Sequence, residues 1–223
     1  DWEDEFDGAF IEVIQWIEAC CGECDRLFRL PFHEAMTAFP LVEDIGLTGG
    51  IPHYNEAELR QVFNITAPPA KTALITFGGL GLDAVPYDGL RDRPDWQFIT
   101  FDHQPPDDLP NLLKVTDRTY RPVDFMPLCG QIVSKPGYST FSEACMVGVP
   151  VKTVEREGFA EAPILIEGIK RHAHHRILSL DELYAGTWEF LDQPCYPPTS
   201  EEPLAKDGNE AIAQAITEYF RNH

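Results

Sequence analysis

Several features that would assign a protein to a broad class are missing from this sequence. Its 223 residues contain no apolar run that approaches the roughly 18 residues of a membrane-spanning helix. Positive charge is scarce, since 17 lysines and arginines stand against 37 aspartates and glutamates and give a formal net charge of −20. A phosphate backbone or an anionic membrane needs a basic surface, so we expect neither nucleic acid nor a membrane as a partner.

The motifs of several well-known sites are missing as well. The chain has neither the Gly-x-Gly-x-x-Gly fingerprint of dinucleotide-binding proteins nor the Gly-Lys-Ser/Thr of a Walker P-loop. It has no Gly-x-Ser-x-Gly nucleophile elbow and no Asp-x-Asp metal motif. The negative net charge is still compatible with an anionic small ligand, because backbone N–H groups and a helix N-terminus hold a phosphate locally.

The six cysteines lack the spacing of a disulfide framework, so we expect reduced thiols and a cytoplasmic protein. Cys20, Cys21 and Cys24 have a spacing that a metal could use, but structural zinc takes four ligands and no second pair follows. The His-Ala-His-His tract at 172–175 falls at a predicted helix end, where histidines offset the helix dipole. Neither a metal nor a cofactor is predicted.

The first 70 residues predict only short elements. Apolar residues from Phe10 to Ala19 have helical spacing, and Arg26 to Leu30 has the pattern of a short strand. Residues 31–54 contain three prolines and three glycines with little periodicity, which predicts a linker. A short helix is expected to begin at Asn55.

From residue 72 onward, apolar segments of strand length alternate with amphipathic segments. The predicted strands are Thr72–Phe77, Trp96–Phe101, Asn111–Val115, Gln131–Ser134, Val151–Val154 and Arg176–Leu178. Helices are expected at 139–147, at about 161–173, from Asp181 and at 209–220. This alternation predicts an α/β fold with a Rossmann-like parallel sheet and helices on both faces.

Ligands of such sheets bind beyond the carboxyl ends of the strands. That rule selects the segments 78–83, 134–143 and 155–163. In the first, Gly78, Gly79 and Gly81 follow a buried strand, where glycines let the backbone approach a phosphate closely. A tight strand-to-helix turn explains the same glycines equally well.

The second segment has the pattern of a helix start. Gly137 permits an unusual turn, and Ser139 or Thr140 can cap the helix that follows. Glu143 could then accept hydrogen bonds from vicinal ribose hydroxyls while the helix N-terminus holds a phosphate. The alternative is a capping box in which Glu143 only satisfies backbone.

These segments together resemble the C-terminal domain of GT-B glycosyltransferases. A closer resemblance is to the glycosyltransferase-like region of L-arabinokinases and its bacterial relatives, and it extends from about residue 8 to the end. The matching features are Arg29-Leu30-Pro31 with Phe39, Phe77-Gly78-Gly79, the run from Lys135 to Ala144, Gly148-Val149-Pro150 and Glu161-Ala162-Pro163.

The resemblance implies a nucleotide-diphosphate sugar donor, with UDP-sugar expected. The glycines approach its phosphates, the helix start faces the diphosphate, Glu143 holds the ribose and the loop 157–161 faces the sugar. Many GT-B enzymes carry Gln or an Asp/Gln pair in that loop, whereas this chain reads Glu-Gly-Phe-Ala-Glu. The donor-binding residues implied are Gly78, Gly79, Gly81, Lys135, Gly137, Tyr138, Ser139, Thr140, Glu143 and Glu161.

The resemblance also implies a division of the chain. Residues 1–40 are the remnant edge of an N-terminal acceptor-binding domain, 41–70 are a linker with a short helix, and 71–223 are the nucleotide-sugar-binding domain. The final helix is expected to cross back to that edge. The first residue is Asp1 rather than Met, so we expect a piece of a longer protein whose exposed interdomain face favours self-association.

Three functions are compatible with this resemblance. The first is metal-independent glycosyl transfer of hexosyl or N-acetylhexosaminyl type by the intact parent, with this chain alone inactive. The second is a non-catalytic regulatory module that binds a nucleotide or sugar. The third is a nucleotide-sugar epimerase. The acceptor and the catalytic residues are not identified by the sequence.

Overall fold

A computed structural model describes residues 10–77, 85–103, 105–156 and 158–222. The chain divides into two compact units. The first combines Asp1–Leu47 with Ala205–His223, and the second is Thr48–Leu204. The domain bounds expected from the sequence stay predictions. Among the residues described, no helix is long and apolar enough to cross a membrane.

The described residues of the first unit form two short parallel strands and two helices. Strand β1 (Leu27–Arg29) pairs with β2 (Val42–Asp44), and the helices are α1 (Ile11–Gly22) and α7 (Gly208–Asn222). The guanidinium of Arg29 donates to both carboxylate oxygens of Asp44, with Nε–Oδ1 2.6 Å and Nη2–Oδ2 2.9 Å. The prediction that residues 31–54 form a linker is therefore wrong at β2. Two of its three residues are acidic and they pair with arginines, so no apolar alternation marks the strand.

Apolar side chains of this unit are open to solvent. Trp16 on α1 is 66% exposed and Phe220 on α7 is 76% exposed. Within Ile11–Gly22 no residue is buried. Exposed apolar surface of this kind is consistent with the self-association expected from the sequence, which stays a prediction.

The second unit is built on a six-stranded parallel sheet of order β5-β4-β3-β6-β7-β8. The strands are β3 (Thr72–Thr76), β4 (Gln97–Thr100), β5 (Leu112–Lys114), β6 (Gln131–Ser134), β7 (Val151–Val154) and β8 (His175–Leu178). Every residue of β6 and β7 is buried, so both faces of the sheet are covered there. The predicted α/β fold class is confirmed.

The structure describes five α-helices in this unit, and the sequence predicts all of them except the short one at 122–125. They are α2 (Glu56–Val62), α3 (Pro122–Phe125), α4 (Tyr138–Val147), α5 (Ala162–His172) and α6 (Leu180–Tyr184). The side chain of Asn55 caps α2 by accepting from the amide of Ala57, as its position before the helix predicts. Helix α4 ends at Gly148, whose φ of +86° is a left-handed conformation that glycine adopts without steric cost.

One charged side chain lies inside the sheet. Lys152 on β7 is 1% exposed, and its Nζ donates to the backbone carbonyls of Phe190, Leu191 (3.0 Å) and Gln193 (2.7 Å). Burial lowers the pKa of Lys152 to about 8. The lysine therefore joins β7 to the 3-10 helix Glu189–Asp192 and its C-terminal end, which makes it a structural residue.

Candidate functional site

The strand order of the sheet reverses between β3 and β6. Beyond the carboxyl ends of these strands lies the crevice in which open α/β sheets bind their ligands. The loop after β3 carries Gly78, Gly79 and Gly81, which lie outside the described residues. The loop after β6 is described, and it leads through Lys135 into helix α4.

Helix α4 begins differently from the sequence expectation. Its N-cap is Gly137, so Ser139 and Thr140 lie inside the first turn and do not cap it. The cap prediction is wrong because the helix starts at Tyr138, one residue earlier than expected. Glycine has no side chain to occupy the first amides, and a helix N-terminus attracts an anion. Among the described residues, no side chain caps the start of this helix, and the phosphate site expected there stays a prediction.

Two cationic residues follow the strands at this edge. Lys135 comes directly after β6, and Arg156 follows β7. Burial, together with the nearby charge of Arg156, lowers the pKa of Lys135. The guanidinium of Arg156 lies 4.2 Å from the ring centroid of Phe159. In a chain of net charge −20, this places local positive charge beside a helix N-terminus.

Glu143 lies on α4 and is half-buried. Its Oε1 accepts a hydrogen bond of 2.9 Å from the backbone N–H of Gly50. Burial raises the pKa of Glu143, while the Gly50 hydrogen bond and the charge of Arg121 act in the opposite direction. The capping-box alternative is wrong, because the backbone partner of Glu143 comes from another part of the chain.

The segment Thr48–His53, which we call the strap, runs along α4. Ser142 on α4 is fully buried, and its Oγ donates to the carbonyl of Thr48 at 2.6 Å. The Nη2 of Arg121 donates to the carbonyl of Ile51 at 2.7 Å. The strap belongs to the second unit, and its tertiary contacts could not be read from a stretch without periodicity.

Asp124 on α3 is the partner of Arg121. It is 1% exposed and accepts from Arg121 Nη2 at 2.8 Å, from Arg121 Nε at 3.2 Å and from the backbone N–H groups of Arg121 and His53. Burial by itself would raise the pKa of Asp124, but the hydrogen bonds from Arg121 and His53 outweigh it and lower the pKa. Asp124 therefore fixes the guanidinium that faces Glu143.

A cavity of about 330 Å³ lies beyond the carboxyl ends of β4 and β5. Its lining includes Phe101, Asp102, His103, Tyr120 and Arg121. The sequence analysis did not select these residues. The same rule for carboxyl ends applies to the loops after β4 and β5, and it could have identified them.

The loop after β7 is partly described. Glu157 lies outside the described residues, and Glu161 is exposed at the N-cap position of α5 without capping that helix by its side chain. Gly137, Tyr138, Ser139, Thr140 and Glu143 share one helix start with Lys135, so six of the ten predicted donor-binding residues lie together. Their role in binding is untested.

Groups of three or more His, Cys, Asp or Glu that could hold a metal ion do not occur among the described residues. Cys20 and Cys24 are exposed on the first unit, and His175 is buried with its Nδ1 3.0 Å from the carbonyl of Ala173. An interpretation of the three cysteines at 20–24 as small buried residues at a helix end is therefore wrong, because none of the three is buried. His172 ends α5 as the sequence predicts, whereas His175 lies on β8. Metal independence itself stays a prediction.

The chain is similar in sequence to L-arabinokinase from Arabidopsis thaliana, and no family model matches it. The identity is 27% over 188 residues, which are 78% of this chain and 17% of that protein. This match confirms the predicted resemblance to L-arabinokinases. The chain spans less than a fifth of the length of this relative.

Solved structures of nucleotide-sugar enzymes also align with the chain. The glycosyltransferase SnogD from Streptomyces nogalater has a TM-score of 0.46 and 16% identity, over 84% of this chain and 56% of that one. A UDP-GlcNAc 2-epimerase from Neisseria meningitidis bound to UDP-GlcNAc has a TM-score of 0.47 and 15% identity, over 73% of this chain and 49% of that one. A UGT transferase from Siraitia grosvenorii in complex with UDP has a TM-score of 0.45 and 16% identity, over 82% of this chain and 45% of that one. The resemblance is one of fold, and at these TM-scores it assigns no function to this chain.

Proposed function

We propose that this chain is the nucleotide-binding part of a glycosyltransferase-like protein and binds the nucleoside diphosphate of a sugar donor. The observation that carries the proposal is the start of α4, where a helix N-terminus, Lys135 and Arg156 come together beyond a buried parallel strand. A helix N-terminus and cationic side chains favour an anionic group such as a diphosphate. The UDP form of the ligand is our expectation from the sequence resemblance.

The same helix supplies a group for the sugar of the nucleoside. Glu143 is half-buried on the second turn of α4, and an ionised carboxylate accepts hydrogen bonds from the vicinal hydroxyls of a ribose. Arg121 connects Glu143 to the 330 Å³ cavity, which is lined by Tyr120 and Phe101. We assign the nucleobase to this cavity because aromatic and guanidinium groups pack against base faces.

In glycosyl transfer, these groups would act on the leaving diphosphate. The amides at the helix N-terminus and the two cations stabilise the negative charge that develops as the glycosidic bond breaks. A general base and an acceptor pocket are not assigned to this chain. Turnover is therefore proposed for the intact parent only.

A non-catalytic role is the second candidate. It is favoured by the similarity to L-arabinokinase, because the chain aligns with only 17% of that protein and shows no kinase signature. In this case the site binds the nucleotide or sugar and regulates a neighbouring domain. Ligand binding without turnover in the full-length parent would support this role.

The test is calorimetric titration of the chain with UDP. We expect Glu143→Gln to weaken binding about tenfold, which corresponds to about 1.4 kcal/mol, because the neutral amide is a poorer acceptor for two hydroxyls. Glu167→Gln, an exposed change on α5, is the matched control and should leave the affinity unchanged. A folded wild-type chain that does not bind UDP would exclude the proposal.

A further inference from the structure

The contact between the strap and Glu143 joins residues that are 93 positions apart. The donor is the backbone N–H of Gly50 and the acceptor is Oε1 of Glu143, at 2.9 Å. A backbone amide in a fixed segment has no rotamers, so it holds the carboxylate in one orientation. A glutamate side chain without such a contact samples several orientations.

An added Cβ at position 50 would crowd the carboxylate of Glu143. A Cβ on Gly50 would lie 2.8 Å from Oε1 of Glu143 and 3.0 Å from Cγ1 of Val123. A Cβ on Gly49 would lie 3.0 Å from Cγ of Glu143. Any larger residue at position 50 must therefore displace either the strap or the carboxylate.

The strap is fixed on both sides of Gly50. On one side Ser142 Oγ donates to the Thr48 carbonyl at 2.6 Å. On the other side Arg121 donates to the Ile51 carbonyl at 2.7 Å, and the His53 N–H donates to Asp124 at 2.9 Å. The strap is thus fixed on both sides of Gly50 by hydrogen bonds in which Glu143 takes no part.

We propose that Gly50 is a positioning residue of the nucleotide site, whose amide fixes the Glu143 carboxylate so that its second oxygen, Oε2, receives the ribose hydroxyls. This inference rests on the proposed function. Gly50 acts through Glu143, and its own contact with the ligand is not required.

The ionisation of Glu143 distinguishes positioning from a merely structural role. The groups that act on its carboxylate are the amide of Gly50 on the strap and the side chains of Arg121 and Asp124 at α3. Burial already raises the pKa of Glu143, and the Gly50 hydrogen bond opposes that rise. When the hydrogen bond is lost, the pKa rises further, and ribose binding is lost at a higher pH on the acid side.

The experiment compares UDP affinity across the acid range for the wild type, Gly50→Ala and Gly22→Ala. Gly22→Ala is the matched control, since nothing lies within 4 Å of the added Cβ. We expect Gly50→Ala to bind UDP about tenfold more weakly at neutral pH and to lose binding at a higher pH than the wild type. Gly22→Ala should match the wild type in both respects.

Ser142→Ala provides a second variant if Gly50→Ala does not fold. It removes the hydrogen bond to Thr48 without adding atoms near Glu143, so the strap loosens. We expect UDP affinity to fall by about threefold, and binding to be lost at a higher pH than in the wild type.

Two outcomes would overturn the inference alone. The first is that wild type and Gly50→Ala bind UDP with equal affinity and equal pH dependence. The second is that Gly50→Ala binds UDP more weakly by the same factor at every pH and does not lose binding at a higher pH than the wild type. A wild-type chain that does not bind UDP overturns the proposed function and the inference with it.

Discussion

Two carboxylates face Arg121, and the protein satisfies them to different degrees. Asp124 on α3 is almost fully buried, accepts four hydrogen bonds and has a lowered pKa. Glu143 on α4 is half-buried, accepts from Gly50 and has a raised pKa. A carboxylate whose charge is stabilised by hydrogen bonds within the chain, such as Asp124, stabilises the fold. A carboxylate whose charged form is destabilised by burial, such as Glu143, can gain hydrogen bonds from a ligand.

The two lysines at this sheet differ in the same sense. Lys152 lies within β7 and donates to three carbonyls, so its position is explained by the fold. Lys135 lies just beyond β6, where a helix begins and the charge of Arg156 is close. Substitutions at these four residues can therefore separate groups that stabilise the fold from groups that bind a ligand.

The largest effect is expected from Asp124→Ala. The change removes the carboxylate of the capping box at α3 and leaves the backbone amides of Arg121 and His53 without their acceptor, so the free energy of unfolding should fall by about 3 kcal/mol. Urea unfolding measures it, with exposed Asp117→Ala as the control. A loss below about 1 kcal/mol would show that Asp124 is not a structural carboxylate.

The next effect concerns Lys152 and pH. Its pKa is about 8 in the folded chain against 10.5 when unfolded, so the unfolded state binds more protons between these values and stability rises with pH. Between about pH 8 and 10 this contributes about 2 kcal/mol. Burial raises the pKa of Cys195 and the charge of Lys152 lowers it, so replacing the lysine also changes the titration of this thiol.

Lys152→Met should lack this rise in stability. Unfolding by urea at several pH values, measured for wild type and variant, gives the contribution of Lys152, including its effect on Cys195, as the difference between the two curves. Parallel curves would mean that the folded lysine titrates normally, and Lys152 would then no longer differ from a solvated lysine.

A smaller effect is expected from Lys135→Ala, on UDP affinity. We expect a loss of about 1 kcal/mol, roughly fivefold, because one of the two cations at the diphosphate is removed. The loss should shrink as salt is added, since exposed charges are screened. Exposed Lys206→Ala serves as the control, and equal affinities for the two variants would argue against a diphosphate at α4.

The smallest effect is expected from Glu143→Gln, on stability. A folded pKa raised above the unfolded one means that the folded state binds the proton more tightly, so this contribution to stability is present at low pH and is lost as pH rises through the folded pKa. At neutral pH the variant should therefore be as stable as the wild type, or more stable by less than about 1 kcal/mol. A strongly destabilised Glu143→Gln would place Glu143 with Asp124 among the structural carboxylates.

Most elements were predictable because their signals are local. Gln131–Ser134 and Val151–Val154 are each rich in β-branched residues, and the structure has strands with these bounds. Strand β2 was missed because it is three residues long and mostly charged. The sequence predicts Ser139 or Thr140 as the cap of α4, whereas in the structure the N-cap is Gly137. The ends of a helix are defined by backbone geometry, which residue type biases but does not fix.

The order of amino acids is enough to predict the alternation of strands and helices, and with it the parallel sheet and the helix start near Lys135 and Glu143. These follow from hydrophobic period and from glycine positions, which act within a few residues. The contact of Gly50 with Glu143 and the hydrogen bonds from Arg121 to Asp124 are visible only in the folded chain. Those contacts join distant parts of the chain, and their geometry depends on how the whole sheet packs.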